Sequence, residues 1–346
     1  MKKALKIIGI IVAVVVVIVL IYVAYVFISY KRIPDNQALK VNQNTTSDTV
    51  AVGKELKMTT FNIGYGSYPP DYTFFMDGGK ESKARNKKGV IANVNGVIDT
   101  IKKENPDFAV FQEVDEDATR SRHVDEVSMI EKAFSDMSSI EATNYDSAYL
   151  MYPVLDPIGK SKSGIITLSS SKIEKSTRYS LPIETTFNKF FDLDRCFTVS
   201  KIKASNGKYL MLYNVHLSAY MKDAKKQKQQ IDTLFKSMSN DYAAGNYVVC
   251  GGDFNHDLLP SSVDTFNDDT SKGDYSWLAP FPTSDLPKGI SVAPFSKVTE
   301  PVPSTRNLDT PYKKGKSFVA LIDGFIVSDN VEVKENKVID AGFQNT

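Results

Sequence analysis

The sequence predicts an α/β sandwich, two packed mixed β-sheets flanked by helices in four layers, standing behind an N-terminal transmembrane helix. Three observations carry that expectation. Four apolar, strand-like stretches each deliver polar residues at their C-terminal ends: Met58-Thr59-Thr60-Phe61-Asn62-Ile63, Phe108-Ala109-Val110-Phe111-Gln112-Glu113-Val114, Tyr209–Leu217 with Asn214 and His216, and Tyr247–Asp257 with Asp253 and Asn255. Two long stretches, 87–104 and 222–244, carry apolar residues at helical spacing with polar residues between them. The chain opens with an apolar run from Leu5 to about Ser29, broken only by Lys6. Strands with polar tips imply a two-sheet core whose tips converge on one cleft, and the amphipathic stretches supply helices for the outer faces.

The opening run is long enough to cross about 30 Å of hydrocarbon as a helix. A cleaved signal peptide would carry a shorter apolar core, about 7–15 residues, followed by small residues at a cleavage site. Here Tyr25-Val26-Phe27-Ile28 stay bulky to the end. Lys2, Lys3 and Lys6 lie at one end of the run and Lys31 and Arg32 at the other, a modest positive-inside bias for a cytoplasmic N-terminus. The expected location is therefore the cell membrane, single-pass, with the body outside the cytoplasm. From Lys31 to about Glu55 the chain turns polar without apolar periodicity, which reads as a tether. The expected organisation is an anchor over 1–30, a linker over 31–55 and one catalytic domain over 56–346.

Composition sets limits. The 346 residues carry a formal net charge of +1, which argues for neither a strongly basic nucleic-acid surface nor an acidic tail. Cys196 and Cys250 are too few for a disulfide scaffold, and Cys250 lies in an apolar strand. The first amphipathic helix places Val90, Ile91, Val94, Val97, Ile98 and Ile101 on one stripe. The second turns Ile231, Leu234, Phe235 and Met238 inward, leaves Lys222, Lys225, Lys226 and Lys228 in water, and ends at Gly245. Further strands are expected at 164–170, 195–204 and 320–328.

The most informative segment is Gly251-Gly252-Asp253-Phe254-Asn255-His256-Asp257. Strand alternation points Phe254 into the core and sends Asp253 and Asn255 together above the sheet edge, where both can meet one phosphate or one cation. An Asx-rich turn closing a strand is the other reading of the same residues. The four segments, followed by Ile322-Asp323, run in the order Asn62, Gln112-Glu113, Asn214-x-His216, Gly252-Asp253-x-Asn255, Ile322-Asp323. In this order the chain resembles the endonuclease/exonuclease/phosphatase superfamily, metal-dependent phosphoesterases related to deoxyribonuclease I, from about Leu56 onward. The resemblance implies that family's α/β sandwich. It also implies a sixth motif, Ser-Asp-His, whose histidine the Asp323 carboxylate would orient. The chain contains no such triplet; Ser328-Asp329-Asn330 follows Asp323 too closely. The expectation is a truncated chain, with a natural pseudoenzyme as the alternative.

Phosphate-ester hydrolysis needs a cation to neutralise the phosphoryl oxygens, an activated water, and help for the leaving oxygen. Glu113, helped by Asn62, is the expected holder of Mg²⁺, which takes one or two carboxylates and keeps several waters; Mn²⁺ could substitute. His123, His216 and His256 lack zinc-site spacing. By resemblance, Asp253 would orient the attacking water, Asn255 would hold a phosphate oxygen, and His216 would donate to another. The loop after Glu113 carries Arg120, Arg122 and His123, read as substrate-binding because two guanidinium groups can clamp a phosphate. No segment selects among nucleic acid, nucleotide, phosphoinositide and sphingomyelin, and no protein partner is implied. The expected function is thus a membrane-anchored Mg²⁺-dependent phosphoesterase that touches the bilayer through its N-terminal helix. A catalytically impaired module binding phosphate, nucleic acid or lipid headgroups is the alternative.

Overall fold

Apolar side chains from Leu5 to Ile21 cannot fold against a core of their own, and they form the outer length of α1 (Lys2–Ser29), exposed until Tyr22 meets the domain, with Val26 buried against it. The structure is a computed structural model that describes residues 1–190, 192–219, 224–268, 275–296 and 301–345. In chain order the elements are β1 (Gln37–Ala38), β2 (Met58–Asn62), α2 (Lys87–Glu104), β3 (Phe108–Ala118), α3 (Glu126–Ala133), β4 (Ser138–Asp146), β5 (Ser161–Ser169), β6 (Ile173–Ser180), β7 (Cys196–Lys203) and β8 (Tyr209–His216). They continue with α4 (Ala224–Ala243), β9 (Tyr247–Asp253), β10 (His256–Asp257), α5 (Ser262–Phe266), β11 (Ala279–Pro280), β12 (Ile290–Val292), β13 (Thr305–Arg306), β14 (Val319–Ala320) and β15 (Asp323–Ser328).

Two mixed sheets form the centre. One runs β1-β6-β7-β8-β9-β15-β12 and the other β2-β3-β5-β4. Each contains one parallel pair, β8 with β9 and β2 with β3, and those pairs are joined through α4 and α2, as parallel neighbours require a crossover. Three apolar layers hold the stack. Val90, Val94, Val97 and Ile101 of α2 pack on Ala109, Phe111 and Ile166 of the smaller sheet. Phe108 and Ile140 meet Ile202, Leu210 and Leu212 between the sheets. Ile231, Leu234, Phe235 and Met238 of α4 cover Phe197, Val215, Val248 and Cys250 on the far face. The result is the expected order of helix, sheet, sheet, helix.

Gly252 is required where β9 runs beside β8, because a Cβ there would stand 2.1 Å from the carbonyl oxygen of its register partner Val215. Both cysteines are free and buried, and burial pushes the Cys196 thiol up to about 11.

Several boundaries differ from the sequence reading. Ile91 lies on the shoulder of α2 and is 36% exposed. The strand expected over 320–328 is split, since Val319–Ala320 pairs with Thr305–Arg306 while Asp323–Ser328 joins the large sheet. Lys222 lies outside the described residues, as does Thr346. The largest difference concerns residues 31–55, which the structure lays along the domain instead of leaving them as a solvated tether. Gln37–Ala38 adds an edge to β6, Asn42 and Ser139 exchange backbone hydrogen bonds at 2.9 Å, and Arg32 Nε donates to Asp194 Oδ1 at 2.8 Å. Leu39, Val41 and Val50 close the end of the inter-sheet layer. They are too few and too irregularly spaced to show a period, so the segment reads as polar although its apolar residues are used.

Candidate active site

Strand periodicity carries the cleft. Along β8, Leu210, Leu212, Asn214 and His216 face the other sheet while Tyr213 and Val215 face α4. His216 and Asp253 are register partners at the ends of β8 and β9, and Asp323 pairs with Asp253 across β9 and β15. Three polar residues thus stand side by side at one end of the large sheet.

The smaller sheet contributes Asn62 and Glu113. Between Phe111 and Val114, β3 holds one more residue than β5 opposite it, a β-bulge, and Glu113 takes a positive φ of 54°. The bulge sends neighbouring side chains in different directions. Gln112 goes between the sheets, where its Nε2 donates to Asn214 Oδ1 at 2.8 Å. Glu113 turns to the cleft and accepts from Asn62 Nδ2 at 3.1 Å. Asn62 Nδ2 also donates to Asp253 Oδ2 at 2.8 Å, joining the two sheets across the cleft floor. His216 Nε2 stands 3.8 Å from Glu113 Oε1 and 3.6 Å from Asp253 Oδ2. The chain therefore brings Asn62, Glu113, His216 and Asp253 into one cluster, with Asp323 adjoining.

Burial makes this cluster electrically costly. Desolvation pushes Asp253 up to about 6, against the pull of hydrogen bonds from Asn62 and from the Asn255 backbone N–H, with the Glu113 charge adding to the rise. Asp323 is raised well above the usual carboxylate range by burial and then by Asp253, and its Oδ1 is buried without a hydrogen-bond partner. Burial holds His216 well below its ordinary value, with Arg195 and Arg120 reinforcing the shift, so the imidazole is neutral and one ring nitrogen is a donor.

The turn after β9 unites the two sequence readings of the Asp253 segment. The Asn255 N–H donates to Asp253 Oδ1 at 2.8 Å, and Asn255 itself sits at φ 48°. Its side-chain Nδ2 donates to Leu217 O at 2.8 Å, which leaves its amide oxygen as the group able to face a ligand. Phe254 is fully buried, as strand alternation predicts.

Other expected site residues are placed elsewhere. Arg120 turns inward, donating through Nε and Nη2 to both oxygens of Asp115 at 3.1 and 2.8 Å beneath the Tyr65 ring, with its guanidinium carbon 3.9 Å from the ring centroid. It is 6% exposed and occupied by its own carboxylate. Arg122 Nε donates to Ala84 O at 2.7 Å and its Nη2 to Arg85 O, so this guanidinium clamps backbone. His123 is exposed and pairs with Asp117. The phosphate clamp read from this loop is not assembled, because the two arginines satisfy acceptors within their own surroundings. Arg195 was missed: it is 8% exposed, its Nε and Nη1 are buried without hydrogen bonds, and its Nε stands 4.0 Å from Asp192 Oδ1. Its charge is the largest one acting on His216. Nothing in its local sequence, Leu193-Asp194-Arg195-Cys196, marks it as more than a strand start.

For a divalent cation, the fit rests on the carboxylates. Among the described residues no three His, Cys, Asp or Glu side chains form a ready-made metal cluster. The Glu113 charge nevertheless adds to the rise of Asp253, and Asp323 carries an orphaned oxygen beside them, a donor set that a hard cation would relieve. Asn62 is committed differently from the sequence expectation: its Oδ1 already accepts from Gly64 N–H at 3.0 Å, and its amide NH₂ faces the carboxylates.

Two mixed sheets stacked between helices, with a polar cleft at the strand tips, define the sandwich class of phosphate-ester hydrolases. The chain belongs to the Endonuclease/Exonuclease/phosphatase family, whose family model matches residues 90–310. No curated protein matches it. Among solved structures it is similar to an endonuclease/exonuclease/phosphatase family protein from Leptotrichia buccalis, at 16% identity and a TM-score of 0.50 over 83% of this chain and 93% of that one. It is also similar to a mannosyl-6-phosphatase from Bacteroides thetaiotaomicron, at 12% identity and a TM-score of 0.49 over 82% and 90% of the two chains. Truncated TDP2 from Caenorhabditis elegans gives 16% identity and a TM-score of 0.48 over 80% and 84%.

Proposed function

We propose that this chain is a membrane-anchored, divalent-cation-dependent phosphoesterase, with its reacting centre at Asn62, Glu113, His216, Asp253 and Asn255. The observation that carries the reading is the hydrogen-bonded bridge from Glu113 through Asn62 to Asp253, with neutral His216 beside both carboxylates. Glu113 is the residue to hold Mg²⁺ or Mn²⁺, with Asp253 and Asp323 contributing negative charge; the cation would supply charge neutralisation at the phosphoryl group. Asp253, poised by burial near neutral pH, accepts a proton from an attacking water and orients it. Neutral His216 donates through one ring nitrogen to a phosphoryl oxygen, and the Asn255 amide positions another.

The anchor is α1, the one helix among the described residues long and apolar enough to cross a membrane. We place the body on the extracytoplasmic side, following the lysines at the N-terminal end of the helix, Lys2, Lys3 and Lys6. Nucleic acids, nucleotides, phosphoinositides and sphingomyelin are the substrate classes to compare.

One observation favours a second reading, a binding module without turnover. None of the three histidines pairs with Asp323: His123 faces Asp117, His216 faces Glu113 and Asp253, and the His256 ring bonds Phe254 O. The deciding experiment presents the four substrate classes to the full chain in detergent, with Mg²⁺ or with a chelator. Turnover of one class that stops on chelation and in Asp253→Asn supports the enzyme. Saturable binding of a phosphate ester with no turnover in any class supports the module.

A further inference from the structure

The hairpin between β4 and β5 presents an unusual surface. Leu155 is 99% exposed, Val154 74%, Tyr152 59% and Met151 49%, all within one short turn. Large aliphatic side chains concentrated on one loop mark a contact surface. This loop is also rigidly built. Leu150 and Gly159 exchange backbone hydrogen bonds at 3.1 Å, Ile158 N donates to Tyr152 O at 3.0 Å, and Asp156 N donates to Pro153 O at 3.1 Å. Behind it, Ser82 Oγ donates to the Asp156 carbonyl and Lys83 pairs with the Asp156 carboxylate.

Its position identifies what the surface meets. Tyr22 and Tyr25 of α1 reach the hairpin directly: Tyr149 N donates to Tyr25 Oη at 3.0 Å, Met151 N donates to Tyr22 Oη at 2.9 Å, and Tyr22 Oη donates to Tyr149 O at 3.2 Å. The end of α1 is braced on the domain as well, with Phe27 tilted against Phe190 and Tyr30 meeting it edge to face, at centroid distances of 4.6 and 5.0 Å. The hairpin is therefore fixed alongside the helix at the level of Tyr22, one to two turns before Ser29, about 10 Å at 1.5 Å per residue. Ala4 to Tyr22 spans about 28 Å of helix, close to the roughly 30 Å of a hydrocarbon core. Any placement in which α1 crosses the membrane thus puts the hairpin at the headgroups or below them. Tyr22, Tyr25, Tyr149 and Tyr152 then form a local aromatic belt of the kind found at that depth.

We propose that residues 149–155 are a second membrane contact, in which Met151, Tyr152, Val154 and Leu155 insert into the lipid interface beside α1. The proposal rests on the reading of α1 as a membrane span. The stem of the loop is satisfied internally, because the backbone N–H groups of Tyr149, Leu150, Met151, Asp156 and Ile158 are already bonded, and the tip, Tyr152 to Leu155, stands at the hydrated headgroup level where water meets its backbone. An aromatic series continues from the hairpin toward the cleft: Tyr152 to Phe75 at 5.5 Å, Phe75 to Phe74 at 5.0 Å, Phe74 to Tyr68 at 6.0 Å, and Tyr68 to Tyr65 at 4.9 Å. Two attachments, helix and hairpin, hold the domain at one tilt and one height above the bilayer.

The test uses the full chain in phosphatidylcholine vesicles, carrying an environment-sensitive fluorophore at Leu155→Cys or, separately, at Leu20→Cys. The native cysteines are fully buried and stay unlabelled. Insertion predicts that the Leu155→Cys label is blue-shifted, shielded from iodide and quenched by lipids spin-labelled near the headgroup. A Leu155→Cys label fully open to iodide, with the Leu20→Cys label quenched by chain-labelled lipids, overturns the hairpin contact and leaves the anchor standing. If neither label is quenched by lipid, the anchor reading fails and takes the proposal with it.

Discussion

Asn214 of the large sheet accepts a hydrogen bond from Gln112 of the small one at 2.8 Å and returns two through Nδ2, to Phe111 O at 3.2 Å and Ile166 O at 2.9 Å. Both side chains are fully buried. This pair fixes the distance between the sheets directly beneath the cleft, where Glu113 and His216 follow next along their strands. Asn214→Ala leaves a buried carboxamide and two carbonyls without these partners, and the expected loss is about 2–4 kcal/mol in urea denaturation. A variant with wild-type stability and a lowered turnover would instead make Asn214 a substrate contact.

The buried pair of Arg120 and Asp115 supports the same strand from the other side. Removing one member strands a charge, so Arg120→Ala is expected to lose about 3–5 kcal/mol of stability. Arg120→Lys recovers only part of this, because an ammonium cannot reproduce the two-point contact with the Asp115 carboxylate. The measurement is denaturant unfolding together with KM on the best substrate. Normal stability with a raised KM would restore the substrate-clamp role read from the sequence.

Residues 33–55 are expected to belong to the folded unit. A chain beginning at Ile33 should lose its transmembrane anchor yet melt cooperatively, whereas one beginning at Leu56 loses β1, the Asn42 bridge and Val50, and should melt several degrees lower. Equal melting temperatures for the two chains would return the segment to the status of a tether. A chain beginning at Ile33 that still behaves as an integral membrane protein in detergent phase partitioning would contradict α1 as the spanning segment.

How much was legible follows from the kind of signal each feature leaves. Asn62, His216 and Asp253 end apolar strands, and a strand's period of two puts Asn214 and His216 on one face before any tertiary contact is known. The α2 and α4 stripes are similarly local. Glu113 was legible as a residue but not as a geometry, because its aim depends on a bulge counted against β5, a strand some fifty residues away in the chain. Arg120 misled, since a charged loop beside a site looks the same whether its guanidinium faces ligand or Asp115. The use of Leu39, Val41 and Val50 is purely tertiary, and so is the meeting of Tyr22 with the 149–155 hairpin.

The central claim is that Glu113 and Asp253 form a cation-dependent hydrolytic centre, and Mn²⁺ binding to the full chain and to Glu113→Gln, followed by calorimetry alongside Mg²⁺-dependent turnover, tests it most directly. The account predicts that Glu113→Gln weakens Mn²⁺ affinity by roughly tenfold or more and turnover by roughly a hundredfold. Wild-type Mn²⁺ affinity and near-normal turnover in Glu113→Gln would contradict it.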